Sequence, residues 1–136
     1  MKTGLIFIDH IPTPWAAHCG YGKKSWDKRY AQKQEYKRQI KEQWGEKQLI
    51  TSAVILDIYY VLPIPKSTSK VRREAMIKGE IDHLVPPDVT NLNKLTEDCL
   101  QGIVMGNDSA VIDVRGRKRH GPRPCIQIWV HYNLRE

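Results

Sequence analysis

Residues 86–113 read PPDVTNLNKLTEDCLQGIVMGNDSAVID and hold five of the chain's fifteen carboxylates beside a single lysine. The segment sums to −4 within a 136-residue chain of formal net charge +7, so the remainder carries +11. A carboxylate cluster in a basic protein is costly unless a cation compensates it, and hard oxygen ligands suit Mg²⁺ or Mn²⁺. Such an ion activates water and neutralises the charge that develops as a phosphodiester is hydrolysed. Lys and Arg around it hold a polyanionic backbone. Asp88, Asp98 and Asp108 are the candidate ligands. Read only from their local spacing, they are more simply a helix-terminal residue, a solvated one and a turn residue.

The elements around them decide whether these groups meet. Leu92, Leu95 and Cys99 follow i, i+3, i+7 and predict a helix from Asn91 to about Gln101, with Thr90 as N-cap and Gly102 as stop. Asn91, Lys94 and Asp98 repeat that spacing one residue away, so they flank the buried stripe at the rim of the core. Asp88 stands before the helix N-terminus, whose dipole favours an ionised carboxylate. Asp108 follows the helix in the loop MGNDS. An eleven-residue helix is about 16 Å long, so Asp108 approaches Asp88 only if that loop folds back.

Composition bounds the rest. The length suits one domain, 1–136, with one core, and 40% hydrophobic with 27% charged residues is globular. The basic excess suits nucleic acid before an anionic membrane surface. No apolar run approaches the eighteen or so residues of a membrane span, and MKTGLIFIDHIP reads as a first strand rather than a signal peptide. Cys19, Cys99 and Cys125 lack any C-x-x-C spacing, which argues against a disulfide framework or structural zinc and fits the cytoplasm.

Along the chain, LIFIDHI alternates as a strand ended by Pro12 and Pro14. Residues 15–24 read as a loop. A helix is expected from Ser25, its N-cap, to Trp44, stopped by Gly45, with Trp26, Tyr30, Ile40 and Trp44 as an apolar stripe. TSAVILDIYYVLPIP is a strand with Val54, Leu56, Ile58, Tyr60 and Leu62 on one face. SKVRREAMIK is a short basic helix ending at Gly79, and IDHLVPPD an extended piece. AVIDVRGRKRH and PCIQIWVHY predict two strands joined as a hairpin by GPR. The order β-α-β-α-(β)-α-β-β implies an α+β fold, with helices packed on a mixed sheet.

At this point the residues resemble a known family. The segment is similar to the core motif of the RusA-like Holliday junction resolvases, the crossover junction endodeoxyribonucleases common in phages and prophages. Their pattern runs roughly K-P-D-x-D-N-L-x-K-x-x-x-D-A-L-N-G-x-x-x-x-D-D-x-x-V. This chain matches at Pro87, Asp88, Asn91, Leu92, Lys94, Asp98, Leu100, Gly102, Asp108 and Val111. The resemblance spans roughly residues 54–132. It implies a homodimeric, Mg²⁺-dependent endonuclease (Mn²⁺ a possible substitute) that nicks two like strands of a four-way DNA junction, in recombination and repair. It also implies a bacterial host cytoplasm. Asp88 and Asp108 match the family's metal-binding aspartates, Lys94 its essential lysine and Asp98 a further acidic position, so Asp88, Lys94 and Asp108 are the expected catalytic residues.

Two positions depart from the pattern. Thr90 replaces the second aspartate of D-x-D and Asn107 the first of D-D, and neither supplies a carboxylate. Three outcomes follow. Asp88, Asp98 and Asp108 suffice with weaker metal binding, which is the reading favoured; another acid such as Glu97 or Asp82 fills in; or the protein binds junctions without cutting. Thr90 and Asn91 are the motif-supporting positions. A basic RNA-binding domain with structural acids is a reading from another class.

Two basic sets accompany the motif. Arg115, Arg117 and Arg119 share one face of a strand with Lys118 on the other, and are expected to contact DNA beside the active site. Lys70, Arg72 and Arg73, with Lys78, form the second set, where a plain surface helix is equally consistent. Trp15 and Tyr21 are candidates to stack on unpaired bases, whereas Trp26 is expected in the core. His83 is expected to be a hydrogen-bonded structural residue.

Overall fold

Strand β2, Val54–Pro63, is the axis of the molecule. Its alternation puts Val54, Leu56, Ile58, Tyr60 and Leu62 on one buried face, as the sequence predicts. The computed structural model describes residues 1–17, 20 and 26–133. Among them, β2 lies between β3 (Val111–Gly121) and β4 (Cys125–Tyr132), and β1 (Lys2–Ile8) completes a sheet of order β1-β4-β2-β3. β2 pairs parallel with β3 and antiparallel with β4. The α+β mixed-sheet class is therefore observed.

The expected β3–β4 hairpin does not form. β2 is inserted between the two strands, with Val61 opposite both Arg119 and Cys125. Pro63 ends β2 at the level of Gly121, so the short link at residues 122–124 passes over the strand end. A Cβ at Gly121 would collide with the Val61 side chain, and only glycine admits that close approach. The apolar strand thus takes a central place and the charged one an edge.

Three helices among the described residues, α1 (Tyr30–Trp44), α2 (Lys70–Ile77) and α3 (Val89–Leu100), accompany the sheet. On α1 the buried residues are Tyr36, Gln39, Ile40 and Trp44. Trp26 and Tyr30 are exposed, contrary to the predicted stripe. The helix begins at Tyr30 rather than Ser25, and a carboxylate oxygen of Asp27 accepts from the Arg29 N–H just before it. Ser25, Tyr21 and Cys19 lie outside the described residues. Gly45 ends α1 with φ of 65°, as expected. β1 starts at Lys2, three residues before the predicted strand, and the IDHLVPPD piece carries turns and bends rather than a strand. Cys99 and Cys125 are buried free thiols.

Helix α3 carries the motif, and the predicted stripe of Leu92, Leu95 and Cys99 is fully buried. Two contacts seat it on the sheet. The Tyr60 hydroxyl donates to Asn93 Oδ1 at 2.7 Å and lies 3.2 Å from Thr96 Oγ1. At Gly116 of β3, a Cβ would come 2.6 Å from both Val89 and Asn93, so the helix rests where the strand has no side chain.

Candidate active site

The helix starts two residues earlier than the sequence suggests, at Val89 rather than Asn91. Pro86 and Pro87 lie in a bend that keeps the chain out of helix, and Asp88 after them is extended, with φ of −72° and ψ of 142°. Its carbonyl accepts the first helical bond from the Leu92 N–H at 3.0 Å. Asp88 is thus the N-cap residue, and Thr90 falls exposed inside the first turn. The Asp88 side chain makes no capping bond. It is exposed and has no hydrogen-bond or ion-pair partner among the described residues. The carboxylate is therefore spent neither on the helix nor on a cation.

The loop that carries Asp88 is pinned from the sheet. Lys118 donates from its ammonium to the carbonyls of Val85 at 2.7 Å and Pro87 at 3.0 Å. Its side is that of α3, opposite to Arg115, Arg117 and Arg119, as predicted. Two of its ammonium donors are engaged with the loop.

Asp88 and Asn91 line a cleft of about 640 Å³ whose walls are largely apolar, with Pro12, Trp15, Leu62 and Val85 among them. The Trp15 N–H donates to the Asn91 carbonyl at 2.9 Å, and the Lys94 ammonium lies 3.5 Å from the Trp15 ring centroid. A cation over an aromatic face is held electrostatically, which fixes Lys94 near Asn91. Trp15 is half-buried and is held by this contact. The segment before it is clamped by Tyr36, whose hydroxyl accepts from the Thr13 N–H and donates to the Ile11 carbonyl.

Two further residues line the cleft in an arrangement that the sequence conceals. His83 and His120 are buried with ring centroids 4.5 Å apart, and Nδ1 of each is buried without a hydrogen-bond partner. Burial, then the Lys118 ammonium and His120, push His83 below its ordinary value of 6.5, in favour of its neutral form. His83 has the structural place expected, packed against His120, with backbone hydrogen bonds at His83 and Val85 opposing part of the downward shift.

The remaining carboxylates gather elsewhere. The loop that follows α3 turns at the helix C-terminus, where the Gly102 N–H donates to the Met105 carbonyl, and only β3 after it runs back along the helix. Val104 and Met105 are fully buried, and the Ile50 N–H donates to the Val104 carbonyl, which ties the loop at the helix C-terminus. Asp108 consequently opens a short 3-10 turn, Asp108–Ala110, and lies in electrostatic range of Glu97. Asp98 turns to α1, its carboxylate 3.9 Å from Lys33, which also binds Asp27 at 2.7 Å. Asn107, at a family aspartate position, caps the 3-10 turn by accepting from the Ser109 N–H at 3.0 Å.

Glu97 is the acid that the motif reading treats only as a substitute. Burial raises it above the ordinary carboxylate value, and the charges of Asp108 and then Asp98 raise it further. Its position beside Leu100 and one turn from Asn93 contains the signal. Residues 93, 97 and 100 share the helix side that faces β3.

Asp88 and Glu97 are nine residues apart on one helix, roughly 13 Å of axial rise. Among the described residues, no three of His, Cys, Asp and Glu are grouped so as to hold a metal ion. One chain therefore does not bring Asp88, Asp98 and Asp108 together as a cage, and the predicted ligand set divides between the two ends of α3.

The basic residues divide as well. Lys70, Arg72 and Arg73 lie on α2, which leads into the Asp88 loop and is capped by Ser69, whose Oγ accepts from the Arg72 N–H. Arg115, Arg117 and Arg119 share their sheet face with Asp57, Tyr59 and Trp129, opposite to α3. They do not stand beside Asp88, because strand alternation turns their side chains through the sheet.

A basic α+β chain with an unspent carboxylate and a held ammonium at an apolar cleft has the make-up of a phosphodiester-processing protein. Comparison with known proteins names the class. The family model described as Endodeoxyribonuclease RusA matches residues 19–131, and the chain belongs to that family. The chain is also similar to the uncharacterized protein YqaN of Bacillus subtilis (strain 168), with 29% identity over 98 residues covering 71% of this chain and 69% of that protein. Membership carries Holliday junction endodeoxyribonuclease activity at the level of the family, and a general requirement for a divalent metal. No helix among the described residues is long and apolar enough to cross a membrane.

Proposed function

We propose that the chain resolves four-way DNA junctions by paired nicks, acting as a homodimer during recombination and repair in the bacterial cytoplasm, whether host- or phage-encoded. The observation that carries this reading is the unspent Asp88 carboxylate lining the cleft, with the Lys94 ammonium held over Trp15 of the same cleft wall. Asp88 orients the attacking water and accepts its proton. Lys94, held over Trp15, neutralises a non-bridging oxygen of the scissile phosphate. Lys70, Arg72 and Arg73 hold the flanking backbone on that side. Two equivalent sites related by a twofold axis address two strands of like polarity.

Mg²⁺, with Mn²⁺ as a substitute, is the ion we propose, because the ligands available are hard carboxylate oxygens. The described residues of one chain do not form a closed cage for it. That same division of the acids favours a second reading, junction binding without cutting.

The test is a synthetic four-way junction incubated with and without Mg²⁺, beside a linear duplex. Paired, metal-dependent nicks that Asp88→Asn abolishes while junction binding persists support the enzyme. Tight binding without nicks selects the second reading. Equal affinity for junction and duplex RNA overturns both.

A further inference from the structure

The sheet face opposite α3 carries no helix among the described residues, and it is built with a pattern of its own. Arg115, Arg117 and Arg119 stand at i, i+2, i+4 on the β3 edge, about 6.6–6.8 Å apart along the strand. Beside them, register places Tyr59 of β2 opposite both Arg117 and Gln127. Tyr59 and Trp129 meet edge to face with centroids 5.3 Å apart, and the Arg117 guanidinium lies 5.4 Å from the Tyr59 ring centroid. Together they line a trough of about 680 Å³.

The charges on this face do not cancel. Asp57 is 3.0 Å from the His131 imidazole, and Asp113 is 3.9 Å from Arg115. Arg117 and Arg119 are exposed and have no carboxylate partner among the described residues. A row of cations beside two aromatic rings matches an extended strand of nucleic acid, with phosphates on the arginines and bases on the rings. Double-stranded DNA keeps its bases stacked inside and offers the rings nothing.

We propose that this face binds an unpaired DNA strand, as a second surface separated by the sheet from the cleft that holds Asp88. The ligand class is single-stranded DNA, bound without sequence preference through Arg117, Arg119 and stacking on Trp129. The inference takes DNA as the partner from family membership and does not rest on the cleft chemistry. It gives the arginine ladder a task that its distance from Asp88 denies it at the scissile bond.

The probe is a fluorescent oligothymidylate of about 12 nucleotides, within the usual span of single-strand sites. It is titrated in EDTA against the full chain. Arg117→Gln/Arg119→Gln is expected to weaken binding at least about tenfold and to lessen the log–log salt slope by about 1.4, two single-strand phosphate contacts. Stacking on Trp129 quenches its fluorescence, and Trp129→Phe is expected to abolish that quench. Circular dichroism checks that both variants fold, and the conservative Arg117→Lys/Arg119→Lys keeps the charge if the glutamine pair does not.

Unchanged affinity in the glutamine pair, or a quench that persists in Trp129→Phe, overturns the proposal. So does sedimentation showing that the glutamine pair splits a dimer while single-strand affinity stays, since the face then joins two copies. Junction nicking by the same proteins is read in parallel. Absence of oligothymidylate binding by the wild-type chain while its nicking is intact sinks this inference alone, and absence of nicking with single-strand binding intact bears only on the cleft.

Discussion

The Lys118 ammonium lies 3.0 Å from the Pro87 carbonyl, one residue before Asp88, and joins strand β3 to the loop that presents the carboxylate. Because Lys118 also bonds Val85, one side chain holds two carbonyls of that loop.

Replacing Lys118 by Met should therefore act on geometry. A charge-assisted hydrogen bond contributes about 1.5–3 kcal/mol, so the protein should still fold while Asp88 loses its fixed place. Junction nicking is expected to fall roughly tenfold or more, as small misplacements of a reacting group do. Gel-based nicking with a parallel denaturant melt checks it. Retained nicking would mean that the loop needs no such tie.

Thr90 stands exposed in the first turn of α3, two residues from Asp88. Thr90→Asp restores the family carboxylate where the helix dipole favours it. Metal-dependent nicking should rise, and the concentration of Mg²⁺ at half-maximal activity should fall. An unchanged metal titration would show that this position does not limit the site.

Gly116 lets α3 rest on β3. In Gly116→Ala the new methyl meets Val89 and Asn93 at 2.6 Å, so the helix must shift or the strand must bend. Overpacking of this kind costs about 1–3 kcal/mol. Because Val89 adjoins Asp88, nicking should fall together with stability, measured by chemical denaturation and junction cleavage. A variant as stable and as active as the parent would contradict the described seat of the helix.

Glu97 links the acidic end of α3 to pH. Its folded pKa is raised above the ordinary 4.5, so the ionised form penalises the fold. The penalty is present at neutral pH, is relieved as pH falls through the raised value, and is gone below about 4.5. Glu97→Gln should thus raise the melting temperature at pH 7 by about 1–3 °C and give no gain near pH 4. An equal gain at both pH values would assign the effect to packing instead.

Much of this was legible in the residues. The alternation of β2 and the Leu92, Leu95, Cys99 stripe each bury the face they predict. Gly45, Gly79 and Gly102 all take positive φ where helices were expected to stop. The start of α3 was displaced because a pair of prolines defers helical geometry to Asp88, a stronger local constraint than the preference of Thr90 for a cap. Trp26 and Tyr30 were misplaced for a different reason, since periodicity on a helix with few apolar residues leaves its buried side ambiguous.

What the sequence alone determined is the chemistry carried by each element and the side of that element it occupies. It separated a −4 segment from a basic remainder, and it put Lys118 on the opposite strand face from its arginine neighbours. Tertiary structure alone decided which of those sides meet. The seating of α3 and its loop on the Lys118 side of β3 left Arg115, Arg117 and Arg119 on the face away from Asp88. The burial of Val104 and Met105 kept Asp108 at the far end of α3 from Asp88. The physical reason is one of range. Side-chain direction follows from backbone geometry within a few residues, whereas the approach of distant groups depends on which apolar surfaces the whole chain can bury together.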